Sequence, residues 1–188
     1  YKSDSFKLHN GTGSEADLSG WRIKWTTDSG SGAYDIPQGT KLPSGAFLYI
    51  DEDSGTNGPQ SLYMDKEINW QMGIAVTLED DTGAAIDFVR VGNATETPPA
   101  GTSWSGNNVD NPASGKTLYR KVYGQDTDSA ADWAERATGN FHKTDFCRLS
   151  TCGNQCVDKS GDTDHCGACG RSCPESDVCQ RGGCERAD

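Results

Sequence analysis

Eight cysteines carry the strongest chemistry in this 188-residue chain, and all of them fall after position 146: Cys147, Cys152, Cys156, Cys166, Cys169, Cys173, Cys179 and Cys184. Thiols at such density do one of two things. They close disulfides, or as thiolates they hold a tetrahedral metal ion. Cys166-Gly-Ala-Cys169 has the two-residue spacing at which two thiolates bite one zinc. A clean second pair is missing, since Cys152 and Cys156 are four apart, Cys179 and Cys184 five apart, and only His165 is at hand to add an imidazole. An even count in a short, polar, Gly-rich stretch whose apolar residues are little more than Leu149, Val157 and Val178 predicts four disulfides in place of a core. That places the chain in an oxidising compartment, secreted or at a cell surface. The pairing cannot be read, because eight cysteines allow about 105 arrangements.

Carboxylates are the next candidates. Asp126, Asp128 and Asp132 form an oxygen-rich group of the kind calcium takes, as do Asp51-Glu-Asp53, Glu79-Asp-Asp81 and Asp158 with Asp162 and Asp164. None reproduces the D-x-[DN]-x-[DN]-G loop closed by a Glu. Calcium at Asp126, Asp128 and Asp132 is thus the one metal site to look for, and otherwise no cofactor is expected. Asp80 and Asp81 are explained by a hairpin turn, and an Asp of the 126 to 132 group caps the turn that follows. His9, His142 and His165 lie in separate segments, and no Ser or Cys stands in a G-x-S-x-G context, so the sequence gives no support for a hydrolytic triad. The chain is expected not to be an enzyme. Trp70, Tyr63 and Tyr123 are the rings free to stack on a glycan, but their spacing gives no reason for them to converge. The sequons Asn10-Gly-Thr12 and Asn93-Ala-Thr95 are short patterns with a high chance rate.

The formal net charge of −11 argues against nucleic acid as a partner, because phosphate binding needs a basic surface. No apolar run reaches the 18 residues of a membrane span, and no signal peptide is present. With the disulfides, this predicts a processed form whose Tyr1 need not be the first residue translated.

These groups must be positioned by two parts, residues 1–146 and the Cys-rich 147–188. In the first, short alternating apolar runs are broken by Gly, Pro, Asn and Asp, the pattern of an antiparallel β-sandwich. Phe6 and Leu8 alternate, as do Trp21, Ile23 and Trp25. Ala46 to Ile50 predicts a buried strand, 74–78 and 84–89 a hairpin about Asp80 to Gly83, and Thr117 to Val122 a further strand. Only Ser129 to Arg136 predicts a turn or two of helix, opened by Asp128 or Ser129. Segments 51–60 and 95–114 predict exposed loops. The expected core includes Trp21, Ile23, Phe47, Tyr49, Val76, Ile86 and Phe88.

Asn10, Ala16-Asp-Leu-Ser-Gly-Trp21, Tyr34-Asp-Ile-Pro-Gln-Gly-Thr40, Leu42 to Gly45, Leu78 to Asp87, Gly101-Thr-Ser-Trp104 and Asp126 to Trp133 resemble the lamin-tail domain over residues 6 to 140. The resemblance implies an all-β, immunoglobulin-like sandwich with a small disulfide-rich C-terminal appendage. Cys152-Gly-Asn-Gln-Cys156, His165-Cys166-Gly-Ala-Cys169-Gly170, Cys173-Pro174 and Val178-Cys179 resemble short Cys-rich repeats of secreted proteins of myxobacteria. Neither family carries a catalytic site to transfer. Lamin-tail domains open with an apolar strand ahead of the segment that reads Phe6 to Asn10 here, and a sandwich without it invites a strand from a partner or another copy. The function expected is a non-enzymatic structural or adhesive module of a larger surface or secreted assembly. The alternative is a carbohydrate- or calcium-dependent binding module cleaved from a secreted enzyme.

Overall fold

The computed structural model describes residues 4–121, 126–137, 150–152, 155–157, 166–174, 177–180 and 183–186. The chain gathers into two compact units, one of Tyr1–Lys7, Asp17–Lys41 and Leu48–Gly139, the other of Leu8–Ala16, Leu42–Phe47 and Asn140–Asp188. The expected division at 146/147 lies outside the described residues.

In chain order the strands are β1 (Ser5–His9), β2 (Ala16–Asp17), β3 (Arg22–Thr27), β4 (Gly30–Asp35), β5 (Lys41–Leu42), β6 (Phe47–Asp51), β7 (Ser61–Tyr63), β8 (Gly73–Glu79), β9 (Ala85–Gly92), β10 (Lys116–Arg120) and β11 (Trp133–Ala137). A four-stranded sheet runs β4-β3-β8-β9, every neighbour antiparallel. A three-stranded sheet runs β1-β6-β7, with β6 and β7 parallel, and β2-β5 and β10-β11 make two small pairs.

Alternation explains β3. Ile23 and Trp25 are buried while Arg22 and Lys24 are exposed, so one face turns inward. Phe6 of β1 meets Trp25 of β3 with ring centroids 5.8 Å apart, which packs the three-stranded sheet against the four-stranded one within the first unit. β6 is buried at all five positions, Phe47 to Ile50 as an unbroken apolar run and Asp51 after them. The β8–β9 turn is built by Asp80, whose carboxylate accepts the N–H of Thr82 and of Ala84, both at 2.9 Å, and the Thr82 hydroxyl at 2.7 Å. Gly83, at φ +84°, takes the left-handed conformation this turn requires.

Two expectations are corrected. Ile86 is 49% exposed, not core. Leu78 pairs with Asp87 and Glu79 with Ala85, so Ile86 is the extra residue of a β-bulge and swings out of the alternation. The helix expected over 129–136 is a single 3-10 turn, Ala130–Asp132, after which β11 begins. Pairing with β10 overrides the weak helical periodicity there, setting Arg120 opposite Trp133. Ile23, Phe47, Tyr49 and Phe88 are buried as expected, while Trp21 and Val76 are half-buried.

In the second unit Asn10 is buried and fully used. Its Nδ2 donates to Ser14 O at 2.9 Å and Leu42 O at 2.8 Å, and its Oδ1 accepts the N–H and hydroxyl of Thr12. Two further hairpins, β12 (Ser150–Cys152) with β13 (Gln155–Val157) and β14 (Asp177–Gln180) with β15 (Gly183–Arg186), complete the described strands.

Candidate interaction edge and the Arg120 cluster

Among the described residues the tail shows the disulfides Cys166–Cys179 and Cys173–Cys184. Cys179 and Cys184 face each other across β14 and β15, yet each bonds to a cysteine outside the hairpin, so the hairpin is stapled twice to the 166–173 segment. Cys166, Cys173 and Cys184 have sulfurs close enough to suit a metal ion, but their bridges leave no thiolate to ligate one. Cys169 is disulfide-bonded as well. Cys147 and the side chains of Cys152 and Cys156 lie outside the described residues.

The acidic group of the sequence converges on a guanidinium. Arg120, at the end of β10, places Nη2 at 2.9 and 3.0 Å from the two carboxylate oxygens of Asp87 on β9. Its Nη1 is 2.7 Å from Asp126 and 3.7 Å from Asp132. The guanidinium lies 4.8 Å from the Trp133 ring, a cation–π contact across the β10–β11 pair. Burial pushes the Asp87 carboxyl above its ordinary range, and Arg120 offsets only part of that. For Asp132 burial acts in the same direction, but the N–H of Thr127 at 2.7 Å and its hydroxyl at 2.8 Å outweigh it and hold the carboxyl low. Asp128 stands apart. It takes the left-handed conformation, φ +52°, and accepts the Ser103 hydroxyl at 2.6 Å. Of the three residues read as calcium ligands, Asp126 and Asp132 therefore share an arginine and Asp128 faces elsewhere. Asp87 and Arg120 were missed; an isolated Arg at a strand end gives no pattern to search for.

His9 packs on Phe47 at 4.6 Å between ring centroids. Trp104 sets its ring edge-on to Phe88 at 6.4 Å and donates its indole N–H to Asn107 O, which makes it a packing residue. Trp70 and Tyr63 are both half-buried, and Tyr123 lies outside the described residues. Two hollows are open and polar: one of about 590 Å³ lined by Asp17, Ser19, Gly20, Gln38 and Asp81, and one of about 260 Å³ beside Asp28, Gly73 and Asn93. Neither combines apolar walls with convergent polar groups as a small-molecule site does.

What remains is backbone. Ile36 N–H donates to Trp21 O at 2.7 Å, and pairing alternates from there down the β3–β4 hairpin. Tyr34, Gly32 and Gly30 therefore bond β3, while Asp35, Ala33 and Ser31 turn their N–H and C=O groups outward. Such an edge can accept a strand.

No helix among the described residues is long and apolar enough to cross a membrane. No curated protein matches the chain significantly. Residues 1–93, which run from the N-terminus through β9, match the family model of the Lamin Tail Domain, and this part of the chain has an immunoglobulin-like β-sandwich fold.

Proposed function

We propose that the chain is an extracellular structural or adhesive module of a larger surface or secreted assembly. The observation that carries this is the pair of disulfides stapling β14 and β15 to the 166–173 segment. Cross-links of this kind persist where glutathione does not reduce them. They suit a chain that meets proteases and shear outside the cell. The resemblance of the tail to secreted Cys-rich repeats points the same way, and the immunoglobulin-like part supplies surface without a catalytic cleft. The acidic surface, net −11, favours partners that are proteins with basic patches over nucleic acid.

The test is to trap thiols in intact source cells with iodoacetamide, fractionate, and weigh the unreduced chain. Recovery in the medium or envelope with none of the eight cysteines alkylated is expected. Recovery in the cytosol with alkylated cysteines, or with bound zinc, overturns the proposal.

A further inference from the structure

The sheet edges are protected unequally. On β9, the N–H of Val109 donates to Arg90 O at 3.0 Å and its carbonyl accepts Gly92 N–H at 2.8 Å, while the Asp87 carboxylate takes the N–H of Phe88. On β7, Tyr63 N–H donates to Asn57 Oδ1 at 2.9 Å, and Ser61 bridges to Gly58. On β4, among the described residues, the outward backbone groups of Ser31, Ala33 and Asp35 have one partner, Lys66 Nζ on Ala33 O at 2.6 Å. A lone lysine against an edge strand is a common guard against indiscriminate pairing, and it is movable.

The strand itself offers little obstruction. Gly30, Ser31, Gly32 and Ala33 are small, and the Trp25 indole lies so close under Gly32 that a Cβ there would sit 2.3 Å from Trp25 Cζ2. Charge selects the occupant. Asp65 and Glu67 flank Lys66 and are exposed, and Asp53, whose carbonyl accepts Asp65 N–H at 3.3 Å, is exposed beside them. A second copy would bring the same acidic loop and the same net −11 to the junction. A basic segment meets opposite charge instead.

We propose that the outer edge of β4 docks an extended, lysine- or arginine-bearing segment of another protein, which adds as a fifth strand beside Gly30–Asp35. This deepens the reading of the chain as an interaction module and rests on it only in taking the partner to be a protein. Backbone bonding to Ser31 and Ala33 supplies the register, and Asp53, Asp65 and Glu67 the charge.

The probe is an acetylated, amidated peptide, Thr-Lys-Val-Thr-Lys-Val-Lys, titrated into the isotope-labelled full chain and followed by amide NMR. Saturable shifts at Ser31 and Ala33 are expected, with affinity falling as salt rises from roughly 0.05 to 0.5 M. Ser31→Pro removes an outward N–H without touching the β3 ladder and is expected to weaken binding about fivefold or more. Lys66→Ala frees the Ala33 carbonyl and is expected to tighten it about threefold. Should Ser31→Pro fail to fold, Lys66→Ala alone decides, and unchanged or weaker binding there overturns the proposal. It is also overturned by no saturable shift at millimolar peptide, by shifts centred elsewhere, or by protection of Ser31 and Ala33 that follows self-association of the chain. Failure at β4 leaves the disulfide-based reading standing, and alkylated cysteines would remove that reading without touching β4.

Discussion

Replacing Arg120 by Met keeps the aliphatic stem against Trp133 and deletes the charge, leaving Asp87, Asp126 and Asp132 facing one another without a cation. Stranding a fully buried charge costs about 3 to 5 kcal/mol, while an exposed pair contributes about 0 to 1. The cluster lies between these limits. Asp132 is 5% exposed in its side chain, but Asp87 and Asp126 are 40% and 42% exposed and can draw water. Adding the lost cation–π contact, about 0.5 to 1 kcal/mol, the expected cost of Arg120→Met is about 2 to 3 kcal/mol. For a sandwich of this size that lowers Tm by roughly 6 to 12 °C. Thermal unfolding followed by dichroism near pH 7 reads it. Asp87→Asn in the Arg120→Met background should recover part of the loss, since it removes one of the stranded carboxylates. Calcium at millimolar concentration should raise the Tm of Arg120→Met, where three carboxylates lack a cation, and leave the parent unchanged. A Tm loss under about 2 °C, or a parent that calcium stabilises as strongly as the variant, would refute the view that Arg120 supplies the positive charge of this cluster.

Other expectations follow from separate parts of the molecule. Gly32→Ala drives a Cβ to 2.3 Å from the buried Trp25 ring and should cost about 1 to 3 kcal/mol, read as a lowered urea midpoint at unchanged slope. Cys166→Ala with Cys179→Ala should remove about 2 to 4 kcal/mol from the tail, seen as faster proteolysis after position 150 with the sandwich melting as before. Acid should destabilise the fold. The Thr82 hydroxyl lowers the Asp80 carboxyl, and at Asp28 the N–H groups of Gln71 and Met72 outweigh burial, as Thr127 does at Asp132. Folded values below the unfolded ones mean stability present above about pH 4 and lost as pH falls through the depressed values, which an acid titration by dichroism checks.

Where side-chain pattern dictates structure, the sequence is legible. Ile23 and Trp25 alternate, Phe47 to Ile50 run unbroken, and Asp80 to Gly83 carries its own turn chemistry, so β3, β6 and the β8–β9 hairpin can be read directly. β4 cannot. Gly-Ser-Gly-Ala-Tyr-Asp has no apolar alternation and becomes a strand because β3 pairs with it and Trp25 needs Gly32 beside it. Ile86 misleads for a related reason, since a bulge that breaks parity leaves no mark on composition. At the Arg120 cluster the carboxylates are visible in sequence, but their cation lies six residues before Asp126 and 33 after Asp87, in a strand whose pairing with β11 is settled only by tertiary contact. The interaction edge is less legible still, because it consists of backbone groups whose direction depends on register.

The central claim, an interaction module that presents an open sheet edge, is tested most directly by residue-resolved hydrogen–deuterium exchange along β4 of the unliganded chain. Amides of Gly30, Gly32 and Tyr34, bonded to β3, should be protected, while those of Ser31, Ala33 and Asp35 should exchange at close to the rate of exposed amides. Protection at all six would mean that the edge is already occupied, and exchange at all six that β4 is not a strand; either result would contradict the account.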